Sequence, residues 1–494
     1  MKRSIVALLF IIYYSSLVYG QTDSLNEYLE TAARNNPGVR SAFSSYQAAL
    51  QKIPQAGAYQ DTQLEMGFFL QPMEIIDGRQ VGELKLMQMF PWFGTKQAAQ
   101  SEAAHMAKMA FEQFRETRDR LFLDVYTKWF TLCRLRQQSL TTSKNKELLL
   151  QLEKLALKKY SAGNAAVDRG AGMKTRTGEG TSGSEKNMGM GMSGGMGMSG
   201  MAAEKNNFLP SLPNFQNIEN MGGMSSMNNT AGGMSDVLRI QLEIAGLEND
   251  TESIESEIAA EKAGFNALLN RPVNSEITIP DSLEQTPFLL DETSALAEIR
   301  RQNPALGMLT EERAAYRAKA EMDRRMSYPM FGIGVDYMII NKKTVGSGMG
   351  GMNSASGMSS MNGKDMFMPM ASVSIPIFRE KYRAQQRESV YLQKAACEKY
   401  LDTVNMLEAE FYRIKHELDN ASRKILLYKK QSELAQTTYR LAKQEFISGK
   451  GDLTNVVQIQ RQLLDYHLKT AEAVAAFNIM AANIQKLISS TNKN

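Results

Sequence analysis

Two stretches of this chain run for about seventy residues each with no proline and only one glycine between them, and nothing else in the sequence limits the fold so strongly. The first starts at Phe90-Pro91-Trp92-Phe93-Gly94 and closes at Tyr160-Ser161-Ala162-Gly163. The second starts at Ile375-Pro376-Ile377-Phe378 and closes at Phe446-Ile447-Ser448-Gly449. Pro91 to Gly163 is a step of 72 residues and Pro376 to Gly449 a step of 73, with Gly94 the single glycine inside either. A helix of that length rises roughly 100 Å at ~1.5 Å per residue. No globular core is that wide, so such a chain spans a distance.

A length of 494 residues ordinarily suggests about three domains, but the internal repeat argues for one elongated body. Residues 1–20 read as a secretory signal peptide, with Lys2-Arg3, a short apolar run broken at Tyr13-Tyr14-Ser15-Ser16, and a small residue before Gln21. No Cys follows that cut, so no lipoprotein anchor is expected. No later segment approaches the ~18 apolar residues of a membrane helix, which leaves strands as the only route into a bilayer. The 57 basic and 53 acidic residues are scattered along helical stretches, which excludes a nucleic-acid partner. Cys133 and Cys397 fall at different heights on the two long stretches, too far apart for the ~7 Å a disulfide tolerates, and are expected to be unpaired.

Taken in order, Leu25 to Gln55 reads as helix. Residues 62–70 alternate, with Leu64, Met66, Phe68 and Leu70 on one face. Asp77-Gly78 marks a turn, and residues 81–89 return with Leu84 and Leu86 on one face. The first long helix carries apolar residues at Leu121, Val125, Trp129 and Leu132, a spacing that suits close helix packing. Residues 173–234 collapse to Gly, Ser, Met and Asn, after which helix resumes at Asp236 and runs to Arg271. A linker, 272–292, leads into the same plan again over 293–494: short helix, strand 330–340, Met-rich loop 341–370, strand 368–376, long helix, short helix.

The two halves correspond in detail. Asp236-Val237-Leu238-Arg239-Ile240-Gln241 lies on Asn455-Val456-Val457-Gln458-Ile459-Gln460 at an offset of 219. Gly163 lies on Gly449 at an offset of 286, and the difference of 67 is the size of the Met-rich insertion. Residues 21–271 and 293–494 are therefore two repeats. The fold class is mainly α with a small β part. Four strands cannot close by themselves, and lipid excludes an open sheet. Two chains give eight strands with little lumen, and three give twelve. The expected assembly is a trimeric α-helical barrel joined to a 12-stranded transmembrane β-barrel.

The Asn-Pro at each repeat start, Tyr328-Pro329 before a strand, Ser374-Ile375-Pro376-Ile377-Phe378, and the duplicated aromatic-x-x-Gly followed by Asp/Asn-Val-Leu/Val resemble the TolC-type outer-membrane factors. The resemblance covers the mature chain apart from its Met-rich segments. It implies an outer-membrane homotrimer with a long periplasmic extension, which docks on a periplasmic adaptor fed by an inner-membrane pump. It also implies a periplasmic tip formed by Tyr160, Gly163, Asp236, Phe446, Gly449, Lys450, Asp452 and Gln458. Multidrug members of that family close the tip with a Tyr, an Arg and an Asp; Phe446, Gly451 and Gln458 stand there instead, with Lys450, Asp452 and Asp236 as substitutes.

The Met-rich segments carry the cargo argument. The first holds Met188, Met190, Met192, Met196, Met198, Met201, Met221, Met224 and Met227, and the second holds Met349, Met352, Met358 and Met361. Gly-Met-Ser-Ser-Met-Asn occurs in both, at Gly223–Asn228 and Gly357–Asn362. A thioether is a soft neutral donor that selects Cu(I) or Ag(I) over Zn(II), and it is not lost to disulfides in an oxidising compartment. The alternative is a low-complexity linker in which Met is incidental, although a solvated linker has no reason to enrich an apolar residue. The expected activity is copper or silver efflux, with transient metal and no permanent cofactor.

No enzyme is expected. His105, His416 and His467 are isolated and read as helix-surface residues, and the acidic residues read as solvated faces. Ser448-Gly449-Lys450 lacks the first glycine of a phosphate loop, with Gln444 in its place. Two rival functions fit part of the sequence: a conduit of the same family for drugs, peptides or proteins, and a coiled-coil surface or metal-buffering protein without transport.

Overall fold

The computed structural model describes residues 23–75, 78–170, 232–342 and 363–489. The signal sequence and all thirteen methionines singled out above lie outside those residues. The elements, in chain order, are α1 (Asp23–Asn35), α2 (Pro37–Ala56), β1 (Gln63–Ile75), β2 (Gly78–Phe90), α3 (Thr95–Gly170), α4 (Gly232–Leu268), α5 (Glu292–Gln302), α6 (Pro304–Met326), β3 (Met330–Asn341), β4 (Met366–Ser374), α7 (Arg379–Ile447) and α8 (Leu453–Ile488).

The expected first helix is two helices. Asn36 caps α2, its Oδ1 accepting from the backbone N–H groups of Gly38 and Val39, and Pro37 takes the first helical position, where its missing N–H costs nothing. Asn303 and Pro304 make the same break between α5 and α6. α4 begins ahead of Asp236, so Met234 is an exposed helix residue and not part of the Gly-rich run.

The larger correction concerns Gly163. It was expected at a turn matching that of Gly449, but α3 continues through it to Gly170. One glycine costs a helix only ~1 kcal/mol, and Asn164-Ala165-Ala166-Val167-Asp168-Arg169 carries the helix on. Lys450-Gly451-Asp452, the run after Gly449, does not.

The four strands form one antiparallel sheet in the order β1-β2-β3-β4. β1 runs further than its alternating pattern suggested, through Pro72, with a register shift between Phe68 and Met73. Proline is tolerated there because Pro72 falls within that break in the ladder. β4 starts at Met366, so Met366, Met368 and Met370 belong to a strand and not to the Met-rich loop.

The chain divides into two compact units, one from described residues of 1–143, 250–438 and 461–494, the other from 144–249 and 439–460. The first unit has two core clusters of like composition. One gathers Tyr28, Leu121, Val125, Trp129, Leu132, Phe265 and Leu269. The other gathers Ile299, Phe411, Ile414, Leu418, Ile425, Phe477 and Ile484. Each large side chain buried this way contributes about 1.5–3 kcal/mol, and these clusters absorb the apolar spacing read from α3.

Both cysteines are free, and burial pushes the Cys133 thiol up to about 12, which leaves it unreactive. The acidic residues are not all solvated. Asp119 is fully buried and accepts from Ser489 Oγ at 2.6 Å, and buried Asp323 accepts from Ser389 Oγ at 2.7 Å. Of the histidines, His105 is half-buried, with its Nδ1 2.6 Å from Glu311 Oε2, while His416 and His467 are exposed helix residues and Ser432 Oγ lies 3.4 Å from His467 Nε2.

Candidate functional site

Two places in the structure bear on function, one in each unit. In the second unit the repeated motif supplies the core, where Val237, Ile240, Val456 and Ile459 are all buried. The counterpart glutamines both bond to α3. Gln241 Nε2 donates to Glu153 Oε1 at 2.8 Å, and the fully buried Gln460 donates to Asn145 Oδ1 at 3.0 Å.

Helix α7 ends on a left-handed glycine. Gly449 has φ +79°, the Lys450 N–H donates to the Glu445 carbonyl at 2.9 Å and the Gly451 N–H to the same oxygen at 3.0 Å. Orphan carbonyls at the helix end are thereby satisfied.

Around this turn the structure brings together some of the residues expected at the tip and leaves others apart. Phe446 is buried, not exposed to a lumen, and the Lys159 ammonium lies 4.3 Å from its ring centroid while donating to its carbonyl at 3.4 Å. Burial raises the Asp236 carboxyl above the usual carboxylate range, the Asp452 charge raises it further, and Arg239 and Lys159 act against both. Arg239 donates to Thr454 Oγ1 at 2.9 Å. Lys450, Asp452 and Gln458 are exposed, Tyr160 is half-buried, and Gly163 is part of the α3 backbone. Lys159 and Arg239 carry much of this cluster; Arg239 lies inside the duplicated motif without having been singled out, and no motif marked Lys159.

The sheet, in the first unit, has two unlike faces. One is apolar and open, and register places Leu64, Leu86, Val335 and Pro369 in one row and Met66, Leu84, Tyr337 and Phe367 in another. Phe68 is 76% exposed, Ile333 65% and Phe367 65%. Water-exposed surface of that kind has no stabilising role in a soluble protein, because burying it would gain about 25 cal/mol per Å².

On the reverse face Glu65, Lys85, Asp336 and Met368 form a row, with Lys85 Nζ 3.9 Å from Glu65 Oε2. Beside it lie Gln63, Met87, Gly334 and Met370, and then Met89, Gly332 and Ser372. At the sheet's end near the helices Trp92 stacks on Tyr328 at 5.2 Å and on Phe331 at 5.8 Å. A girdle of aromatic side chains is what a strand needs where it leaves lipid.

Among the described residues no helix is long and apolar enough to cross a membrane, and no cluster of three or more His, Cys, Asp or Glu is placed to hold a metal ion.

Helices of 76 and 69 residues joined to a single four-stranded sheet with an open apolar face define the fold of the outer-membrane channels. Residues 295–490, most of the second repeat, match the family described as "Outer membrane efflux protein". The outer-membrane channel OprN is similar with a TM-score of 0.63 at 15% identity, over 94% of this chain and 89% of that one. The outer membrane protein VceC from Vibrio cholerae is similar with a TM-score of 0.63 at 14% identity, over 94% of this chain and 95% of that one. CusC, whose structures concern folding and transmembrane channel formation, is similar with a TM-score of 0.60 at 12% identity, over 94% of this chain and 92% of that one. At these identities the likeness is one of fold. Comparison with curated proteins gives no match.

Proposed function

We propose that this chain is the outer-membrane channel of a tripartite efflux assembly, a passive conduit from periplasm to exterior whose cargo is Cu(I) or Ag(I). The observation that carries the conduit is the sheet. It has an apolar face open across all four strands, a polar reverse face, and two edges, β1 and β4, with no partner strand among the described residues. Lipid satisfies the first property, a water-filled lumen the second, and pairing with further copies of the chain the third. Three copies give a closed ring of twelve strands, wide enough for a lumen.

In this reading the channel is a homotrimer in the outer membrane. The turn at Gly449 belongs to the periplasmic end, where a periplasmic adaptor and an inner-membrane pump dock. The chain binds no nucleotide and performs no chemistry; its work is to provide a path. The cargo follows from the thioethers. In chain order the first Met-rich segment falls between α3 and α4 and the second between β3 and β4. Soft neutral donors in an oxidising compartment favour Cu(I) and Ag(I).

The test compares strains producing the full chain with strains whose segment methionines are replaced by Ser. Loss of copper and silver tolerance, with the protein still trimeric in the membrane and conducting ions in a planar bilayer, is the expected result. Unchanged tolerance overturns the cargo, and failure to conduct overturns the conduit.

A further inference from the structure

From the strands, and resting on the soft-cation conduit proposed above, we infer that Met87, Met89 and Met370, with the Ser372 hydroxyl, form a thioether station for Cu(I) or Ag(I) on the polar face of the sheet. These methionines are separate from the Gly-rich segments and belong to described strands.

The composition of the face points to it first. Over Glu83–Met89, Gly332–Met338 and Met366–Ser374, the reverse face shows charged residues, Ser, Gly and Met, and every side chain on it that is neither charged nor a hydroxyl is a methionine. Within those spans Leu, Ile, Val and Phe all turn the other way, and Ile340, nearer the end of β3, is the aliphatic residue that shares the reverse face. Packing alone would not sort Met from Leu by face, since the two are near-isosteric. In β2, β3 and β4 the sorting follows the sulfur, while Met66 of β1 lies on the apolar face.

Geometry then brings the sulfurs together. Ser372 Oγ lies 3.8 Å from Met87 Sδ and 3.6 Å from Met89 Sδ, so two thioethers and a hydroxyl meet at one point. Two glycines make the room. A Cβ at Gly332 would come within 2.5 Å of Met89 Sδ and 2.2 Å of Ser372 Oγ. Gly334 stands in register between Met87 and Met370, where any side chain would separate them.

A second observation is independent of the sulfurs. In the adjacent row Asp336 is buried, and its Oδ1 has no hydrogen-bond partner. An acceptor left so is costly in the empty site and is offset when a cation comes near. Two or three thioethers hold a soft cation without deprotonation. Such a site binds firmly enough to admit the ion and loosely enough to release it, as conduction requires.

The test is oxidative footprinting of the purified full-length protein with hydrogen peroxide, with and without Ag(I), read by mass spectrometry as methionine sulfoxide. A metal-bound thioether has no free lone pair for the oxidant. Ag(I), and neither Na⁺ nor Zn²⁺, is expected to slow oxidation of Met87, Met89 and Met370 several-fold while Met66 on the apolar face is unchanged. M89L is expected to abolish that protection at Met87. Equal oxidation of the three with and without Ag(I) overturns the station. The same digest reports on the Gly-rich segments: if Met188–Met227 and Met349–Met361 are protected and the strands are not, the station fails and the cargo reading stands.

Discussion

Asn303 donates its side-chain amide to the Leu487 carbonyl at 3.0 Å while its Oδ1 accepts from the Ala305 N–H at 2.9 Å. One side chain therefore closes the end of α8 and starts α6. Asn36 does the same for its repeat, donating to the Leu268 carbonyl at 2.9 Å. N303A removes a cap and a buried hydrogen bond, together about 2–3 kcal/mol. Asn36 is only half-buried, so N36A is expected to cost about half as much, because water replaces part of what is lost. Thermal unfolding followed by circular dichroism ranks the two variants.

Gly449 and Gly163 occupy matching places in the sequence, and alanine at each should act with opposite sign. Gly449 holds φ +79°, where a Cβ is strained although space around it is open, so G449A is expected to destabilise by ~1 kcal/mol or more. Gly163 is helical, so G163A is expected to stabilise by up to ~1 kcal/mol. Opposite shifts in unfolding midpoint are the result to look for. Shifts of the same sign would place Gly163 in a turn after all.

Asp119 accepts from Ser489 Oγ and from Arg118 Nη2 at 2.9 Å, and Arg115 Nη2 donates to the same Ser489 hydroxyl at 3.1 Å. D119A strands buried donors, at a cost of about 3–5 kcal/mol. Ser489 also holds φ +53°. S489A loses the hydroxyl and keeps the backbone strain; S489G loses the hydroxyl and relieves it. The glycine variant should be the more stable of the two in the same melts.

Partial desolvation holds the His467 imidazole below its usual range, because the charged form is poorly solvated there. As pH falls through about 6.5 the unfolded chain takes up a proton before the folded one does. Stability on account of His467 is therefore constant above that pH and decreases below it, until the folded pKa is passed. Melting midpoints of the native chain and H467Q, compared between about pH 7.5 and 5.5, should diverge toward the acid side. Parallel profiles would show that the imidazole does not contribute.

Phe68 projects from the apolar face of β1 and is almost unburied within the chain. If that face meets lipid, F68R costs about 2–4 kcal/mol near the bilayer midplane. The expected outcome is a sharp drop in protein recovered from the outer membrane, with E65R on the opposite face far better tolerated. Equal recovery of the two would argue against a lipid-facing surface.

Much of this was legible in the sequence because it is periodic. The absence of Pro and Gly located α3 and α7, the alternation at Leu64–Leu70 and Phe331–Ile339 located β1 and β3, and the spacing of Leu121, Val125, Trp129 and Leu132 gave the core stripe. Pairing across large sequence separations escaped. Nothing local marks Lys159 as the neighbour of Phe446 or Asp119 as the partner of Ser489, since each is one charged residue on a helix with many. Gly163 misled because it copies Gly449 in residue type, while its next residues are helix formers and those after Gly449 are not. The Met-rich composition runs on to residue 370 and blurs where the strand begins, yet the period of two in Met366, Met368 and Met370 already marks a strand.

The strand order β1-β2-β3-β4 also decides how copies can join. Both hairpins of a chain are zipped together at β2–β3, so the free edges belong to different repeats: β1 to the first, β4 to the second. Any ring made from this sheet is therefore head-to-tail, with every seam a β4 meeting a neighbour's β1. Such a ring is intolerant of mixture in an unusual way. Chains spoiled only at β1 and chains spoiled only at β4 cannot rescue each other, for a ring that passes from one type to the other must pass back, and that return seam joins two bad edges. Two complementary defects, each mild in its own chain, therefore leave only rings of a single type intact, and every mixed ring carries one seam with both edges bad.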